Sequence, residues 1–307
     1  MKLYPENLME FEQRFSSDTA CREYLSALRW PNGFHCQRCG GTKAWSVDGL
    51  FRCSNCRYTT SVIAGTIFQG TRKPLTLWFR AIWWVVGQKN GASAKGVQQI
   101  LELGSYQTAW TWLHKLRRAM VRPGRDLLTD AVEMDETYVG GKKPGKRGRG
   151  AHGKALVAVA VEDRGKNGIG RIRLSVIPNA SQAVLNDFAQ KNVEVGSTVI
   201  TDDWSGYGSL VNAGFQHKVA LSHDLKMAHL AVSLMKRWLG GTLQGAVSHE
   251  HLSYYLDEYT FRFNRRRAKH RGLLFYRLLQ NAVQIEPTTY QQIIKNVRGR
   301  KSAKHNM

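Results

Sequence analysis

The chain has 307 residues, more than one ordinary core holds, so its length predicts two or three domains. Hydrophobic residues make up 42% of it, which excludes a wholly disordered chain, and no apolar run reaches the roughly eighteen residues of a membrane-spanning helix. Lys and Arg number 45 against 23 acids, a net charge of +22 with a pI near 10.1, which points to a polyanionic partner: nucleic acid rather than a membrane surface.

In chain order, the opening MKLYPENLMEFEQRF carries acids and no apolar stretch, so no signal peptide and a cytoplasmic location are expected. Cys21 stands at helical spacing with Tyr24 and Leu25 and reads as a partly buried thiol. The other four cysteines form one block: Cys36-Gln-Arg-Cys39, thirteen residues, then Cys53-Ser-Asn-Cys56. Two such pairs predict a zinc ribbon, four thiolates closing a tetrahedral structural site. Two disulfides are the rival, which a cytoplasmic location disfavours, and a redox motif needs only one pair. His35 adjoins Cys36, but four sulfurs already suffice.

Leu75, Trp78, Phe79, Ile82, Trp83 and Val86 recur at three and four residues and predict a helix. Asn90-Gly91 interrupts it, Ser93 is placed to cap a helix through Leu101, and another helix is expected over Tyr106–Val121. Helix, Gly-containing turn and helix is the outline of a helix-turn-helix, although helix hairpins are common. Trp110, His114, Lys115, Arg117 and Arg118 on the second helix suit groove or phosphate contact.

After Arg122-Pro123-Gly124 the pattern changes to strands: Ala131–Val139, Ala155–Val161, Ile169–Ile177 and Thr198–Thr201, with a helix over Ser181–Lys191. Three strands, a helix, a fourth strand and later helices, among them one carrying Leu252, Tyr255, Leu256, Tyr259 and Phe263, is the order of a ribonuclease-H-like α/β fold. Basic residues cluster three times: Lys142, Lys143, Lys146, Arg147, Arg149 and Lys154; Arg262, Arg265, Arg266, Arg267, Lys269 and Arg271; and the tail Lys295–Lys304. Such clusters can neutralise phosphates and release counterions.

Phosphodiester chemistry needs acids from separate elements meeting at one point, where divalent ions about 3.5–4 Å apart activate the attacking oxygen and stabilise the leaving one. Asp135 lies in the first strand, with Glu133 on its face and Met134 and Glu136 on the other. Asp202 ends the fourth strand. A single Asp at a strand end is usually a solvated turn residue; two in the right strands of one fold, beside a large positive charge, are better read as metal ligands.

The chain resembles the IS1595 (ISXO2-like) family of bacterial insertion-sequence transposases from about Tyr24 to Val283. The motifs are the CxxC pairs, SVIAGTIF (residues 61–68), Thr108-Ala109-Trp110, MDETYVGG (134–141), TDDW (201–204) and LDEYTFRFNRR (256–266). The resemblance implies a DDE-type core in which Asp135 is the first catalytic acid and Asp202 the second, with Mg²⁺ or Mn²⁺ as catalytic ion and Zn²⁺ as structural ion. The family carries an acid or Asn at the third position and a Lys seven residues later; here His229 precedes Lys236 by that interval, two helical turns. His229 and Lys236 thereby become site residues; a surface histidine is the plain reading of the first, and Glu250 is the alternative acid. The stretch from Asp202 to His229 is shorter than usual for the family.

The expected layout is an N-terminal segment with the zinc ribbon (1–70), a helix-turn-helix segment (71–122), the catalytic domain (123–285) and a basic tail (286–307). The resemblance implies double-stranded DNA, transposon ends and target, as partner, a homo-oligomer on that DNA, and a cytoplasmic, nucleoid-associated bacterial location. A non-catalytic zinc-ribbon regulator or a decayed transposase is the competing reading, and a plain nuclease a third.

Overall fold

The computed structural model describes residues 2–47, 49–122, 124–140, 154–243 and 247–295. They fall into two compact units, Met1–Arg122 with Ala268–Met307, and Pro123–Arg267.

The first unit opens with α1 (Leu8–Arg14) and α2 (Asp18–Arg29), each begun by a side-chain cap: Asn7 accepts from the Glu10 N–H and Ser17 from the Ala20 N–H. Strands β1 (Ala44–Val47), β2 (Leu50–Cys53) and β3 (Thr59–Ser61) form an antiparallel sheet in that order. Helices α3 (Leu75–Gly87), α4 (Ala94–Ile100) and α5 (Tyr106–Ala119) follow, and Ser93 caps α4 through the Gly96 N–H at 3.0 Å, as its sequence predicts.

Helix α5 departs from expectation. His114 is wholly buried and Arg117 is 2% exposed, so neither offers itself to a DNA groove. Residues three apart share a helical face. That face is buried along with Leu113 and Leu116, against neighbours that include α4. Lys115 is itself only partly exposed, and burial lowers its ammonium's proton affinity. The open positions of α5 are at its start, Tyr106 and Gln107.

The second unit is built on β4 (Ala131–Val139), β5 (Ala155–Asp163) and β6 (Ile169–Ile177), then α6 (Gln182–Asn192), β7 (Thr198–Thr201), β8 (Gln216–Val219), α7 (Lys226–Thr242) and α8 (Leu252–Asn264). Its sheet runs β6-β5-β4-β7-β8, antiparallel among β4, β5 and β6 and parallel from β4 to β7 to β8. This is the ribonuclease-H-like arrangement. Strand β5 is buried on both faces. Val157, Val159 and Val161 meet Ala228, Ala231 and Met235 of α7 and Leu256 and Tyr259 of α8, whereas Leu156, Ala158 and Ala160 share the opposite layer with Leu185 and Phe188 of α6. Edge strand β8, Gln-His-Lys-Val, has no expectation behind it: three of its four residues are polar and three are exposed.

The chain then returns to the first unit through α9 (Arg271–Ala282) and α10 (Tyr290–Ile294). The expected domain limit at 285 therefore differs from the compact unit, which stops at Arg267. The reason is aromatic packing. Phe275, fully buried on α9, lies with ring centroids 5.4 Å from Phe11, 5.5 Å from Phe15 and 5.6 Å from Phe79 and Trp83.

The basic clusters also read differently in three dimensions. Residues 142–149 and 296–304 lie outside the described residues. In the middle cluster, Arg262 pairs with the buried Glu258 at 2.8 Å, Arg265 stacks on Phe261, and Arg266 stacks on Phe263 while donating to the Ile169 and Gly170 carbonyls. These guanidiniums hold the fold together as well as carrying charge.

Truncating Phe275 to Ala should cost the first unit about 3–5 kcal/mol, the usual loss for a buried phenyl ring. Urea unfolding followed by tryptophan fluorescence measures it; a loss below about 1 kcal/mol would show that this ring is not central to the core.

Candidate active site and cysteine cluster

The period of strand β4 sends Glu133 and Asp135 to the α7 side and Met134 and Glu136 to the α6 side. The parallel pairing of β4 with β7 matches Glu133 to Ile200. Past the end of this ladder β7 leads into Asp202, whose charge acts on the Asp135 carboxyl. Asp202 closes β7 by accepting the Trp204 N–H at 3.2 Å.

Burial raises the Asp135 carboxyl above its ordinary range. The Glu136 N–H, donating to Asp135 Oδ1 at 2.8 Å, opposes this, whereas the Glu136 and Asp202 charges reinforce it. Glu136 accepts from the Tyr207 hydroxyl at 2.7 Å. Burial first, then the charge of Glu136, keeps that phenol well above its normal value, and the charges of Asp135 and Asp202 push the same way. Three carboxylates thus act on one partly buried region, where an added cation relieves their mutual repulsion.

Helix α7 supplies the remaining groups. Its first residues have no side-chain cap from Leu225, and Glu133 takes that role from the sheet: Oε2 accepts the Ala228 N–H at 2.8 Å. This carboxylate is 5% exposed, and burial raises its proton affinity against the pull of the Ala228 and Met227 N–H groups. With the helix end fixed on β4, His229 Nε2 comes within 3.5 Å of Asp135 Oδ2. Lys236 follows two turns later; burial and then the Lys154 charge lower its proton affinity, while Asp135 raises it. The structure therefore brings Asp135, Asp202, His229 and Lys236 into one neighbourhood. Glu250, the alternative acid, is exposed on the 3-10 turn His249–His251, and it is His229 that reaches Asp135. Sequence reading missed Glu133 as the anchor of α7 and Tyr207 as the partner of Glu136. The position of Glu133, on the face of Asp135, was the one available signal.

In the first unit the four cysteines meet. All four sulfurs lie within 4.8 Å of one another, with Cys36 and Cys56 3.7 Å apart and Cys39 and Cys53 3.6 Å apart, and none is bridged. Each pair sits on the same kind of turn: the Gly40 N–H donates to the Cys36 carbonyl at 2.9 Å, and the Arg57 N–H to that of Cys53 at 3.1 Å. Gly40 and Arg57 both take positive φ, +74° and +58°. A tetrahedral ion with metal–sulfur bonds of about 2.3 Å sets its sulfurs about 3.8 Å apart, close to both separations. The donor set is that of a closed structural metal site.

Residues 127–264 match the family model described as ISXO2-like transposase domain, and residues 16–59 that described as transposase zinc-ribbon domain. A Halobacterium salinarum protein, described as an uncharacterized protein in transposable element ISH50, is 24% identical over 279 residues, 81% of this chain and 91% of its own. Among solved structures, the simian T-cell lymphotropic virus intasome in complex with PP2A regulatory subunit B56 gamma aligns at 12% identity and TM-score 0.31, over 58% of this chain and 70% of that one. The Mos1 strand transfer complex aligns at 14% and 0.29, over 71% and 77%.

Replacing Glu133 by Ala should destabilise the second unit by about 1–3 kcal/mol, because the start of α7 loses its buried acceptor. Glu133→Gln keeps an amide oxygen there and should lose less than half as much. Thermal unfolding of the two variants checks this, and equal losses would show that the hydrogen bond to Ala228 is not the source.

Proposed function

The chain belongs to the ISXO2-like transposase family, and we propose that it binds the inverted repeats of its own insertion sequence, cuts a strand to expose a 3′-OH and joins that end to target DNA. The observation that supports this reading is that His229 Nε2 lies 3.5 Å from Asp135 Oδ2 while Asp202, after the parallel partner strand β7, is near enough for its charge to act on Asp135. Aspartates suit Mg²⁺ or Mn²⁺, and an imidazole suits Mn²⁺ better than Mg²⁺. Such ions, bound by Asp135 and Asp202, would activate the attacking oxygen and stabilise the leaving one. His229 is placed to complete the ligand set or to hold a water, and Lys236 to receive a phosphate near the cut. The cysteine cluster would hold one Zn²⁺ as a structural ion. The ribbon and the α4–α5 pair would position the element ends, on two or more copies of the chain, since two ends are joined. No described helix is long and apolar enough to cross a membrane. Action on DNA fits a cytoplasmic location at the nucleoid. A binding protein without catalysis needs neither Asp135 nor Asp202, and nothing in its function would bring the two together; a plain nuclease would share the site and lack joining.

Asp135→Asn and Asp202→Asn preserve shape and remove the charge that holds the ion, so both should abolish cutting and joining of labelled element ends while leaving DNA binding intact. His229→Ala should fall as far as they do if the imidazole is a ligand, and keep a Mn²⁺-responsive fraction if it positions water. Undiminished cutting by Asp135→Asn would sink this mechanism in favour of the binding-protein reading.

The cysteine site has its own test. Reduced protein should carry one zinc per chain by elemental analysis, and Cys39→Ser should release it and unfold the ribbon, because structural zinc binding contributes folding free energy. Metal-free protein with an intact ribbon would refute the assignment.

A further inference from the structure

Beside the carboxylates lies a cavity of about 350 Å³ that the site as described leaves unused. It is bounded by the end of β4, the start of β5, the second half of α7 and the start of α8, and among the described residues no carboxylate lines it. Two ammonium groups do, Lys154 just before β5 and Lys236 from α7. The rest of the wall includes the Tyr138 ring and the aliphatic Leu239 and Leu252. Two lysines distant in sequence, facing one space with no described acid in its wall, repel each other until an anion lies between them. The lowered proton affinity of Lys236, to which Lys154 contributes, agrees with their closeness. The volume is at the low end for small-ligand pockets, about 300–1,000 Å³, enough for a single base and far too small for a duplex.

We infer that this cavity is a nucleotide subsite, in which Lys154 and Lys236 clamp the phosphodiester next to the cut and its base leaves the stack to lie against Tyr138, Leu239 and Leu252. The inference rests on the transposase reading and assigns Lys154 a substrate contact beyond that reading. An ammonium pair is a phosphate clamp of the ordinary kind, and an aromatic and aliphatic wall is what an unstacked base requires. The location fits, since Lys236 also senses the Asp135 charge.

The test uses the full chain and a duplex of its own element end, with 2-aminopurine at the terminal nucleotide of the transferred strand and EDTA present. Binding should raise the fluorescence several-fold as the base unstacks. Gly240→Phe fills the cavity from α7: a Cβ at Gly240 meets no heavy atom within 4 Å, so the helix accepts it. This variant should bind the duplex yet lose the fluorescence rise. Lys154→Ala should bind roughly tenfold more weakly, and a methylphosphonate at the flanking phosphodiester should weaken wild type by a similar factor and Lys154→Ala hardly further. Lys154→Arg should restore most of the affinity. Binding without a fluorescence change, or Gly240→Phe and Lys154→Ala both behaving as wild type, would overturn the subsite. Cutting of unlabelled ends with Mg²⁺ is scored separately: unstacking without cutting supports the subsite while the transposase reading fails, and cutting without unstacking does the reverse.

Discussion

Two like charges must be held next to each other for this site to exist, and the parallel pairing of β4 with β7 is what holds them. The charges of Asp202 and Glu136 act against ionisation of Asp135, and its burial adds to that cost. The sheet absorbs that cost because its register is fixed by something else: Val132 and Met134 are buried against the α6 layer, and a slip of one residue would turn them to the other face. The acids stand together because the hydrophobic faces of β4 and β7 leave them no other place. A cation bound there would relieve their repulsion.

Helix α7 divides its surface in a way that serves the same end. Ala228, Ala231, Met235 and Leu239 pack down on β5 and α8, and two small alanines among them let the helix approach the strands closely. His229 and Lys236 lie off that stripe and one above the other. Glu133 fixes where the helix begins, and the beginning sets the height of His229 against Asp135. One strand therefore contributes both Asp135 and the anchor of the helix that carries His229. An error in strand register would move all of them together.

The elements legible in the sequence were those whose chemistry is local. The cysteine pairs carry their own spacing, and the β-branched runs of β4, β5 and β6 announce buried strands. Asp135 and Asp202 could be proposed because each stands at a defined point of an apolar strand, although their proximity depends on how β4 and β7 pair. His229 came from a family pattern rather than from its own surroundings, which contain nothing diagnostic. What was not legible depends on partners distant in sequence. The strand β8 is polar and became a strand by pairing with β7. Phe275 looked like part of the preceding domain because nothing local says which aromatic cluster it joins. His114 and Arg117 looked like groove contacts because residue type outweighed helical phase.

The same effect bears on what the net charge of +22 means. Arg171 is spent on the buried Glu162, Arg262 on the buried Glu258, Arg173 is buried and donates to the Asp126 and Ile172 carbonyls, and Arg117 lies in a core. A guanidinium tied to a buried carboxylate is neutralised before DNA arrives and releases few counterions when it does. The number of phosphates neutralised must therefore fall well below the formal charge, and the salt dependence of binding, about −0.9 per phosphate on a log–log scale, counts them directly. Composition points to a partner by kind only, since a surplus of cations suits a polyanion. The fold has spent part of that surplus on itself, and the cations left to contact DNA are those that no carboxylate or carbonyl has claimed.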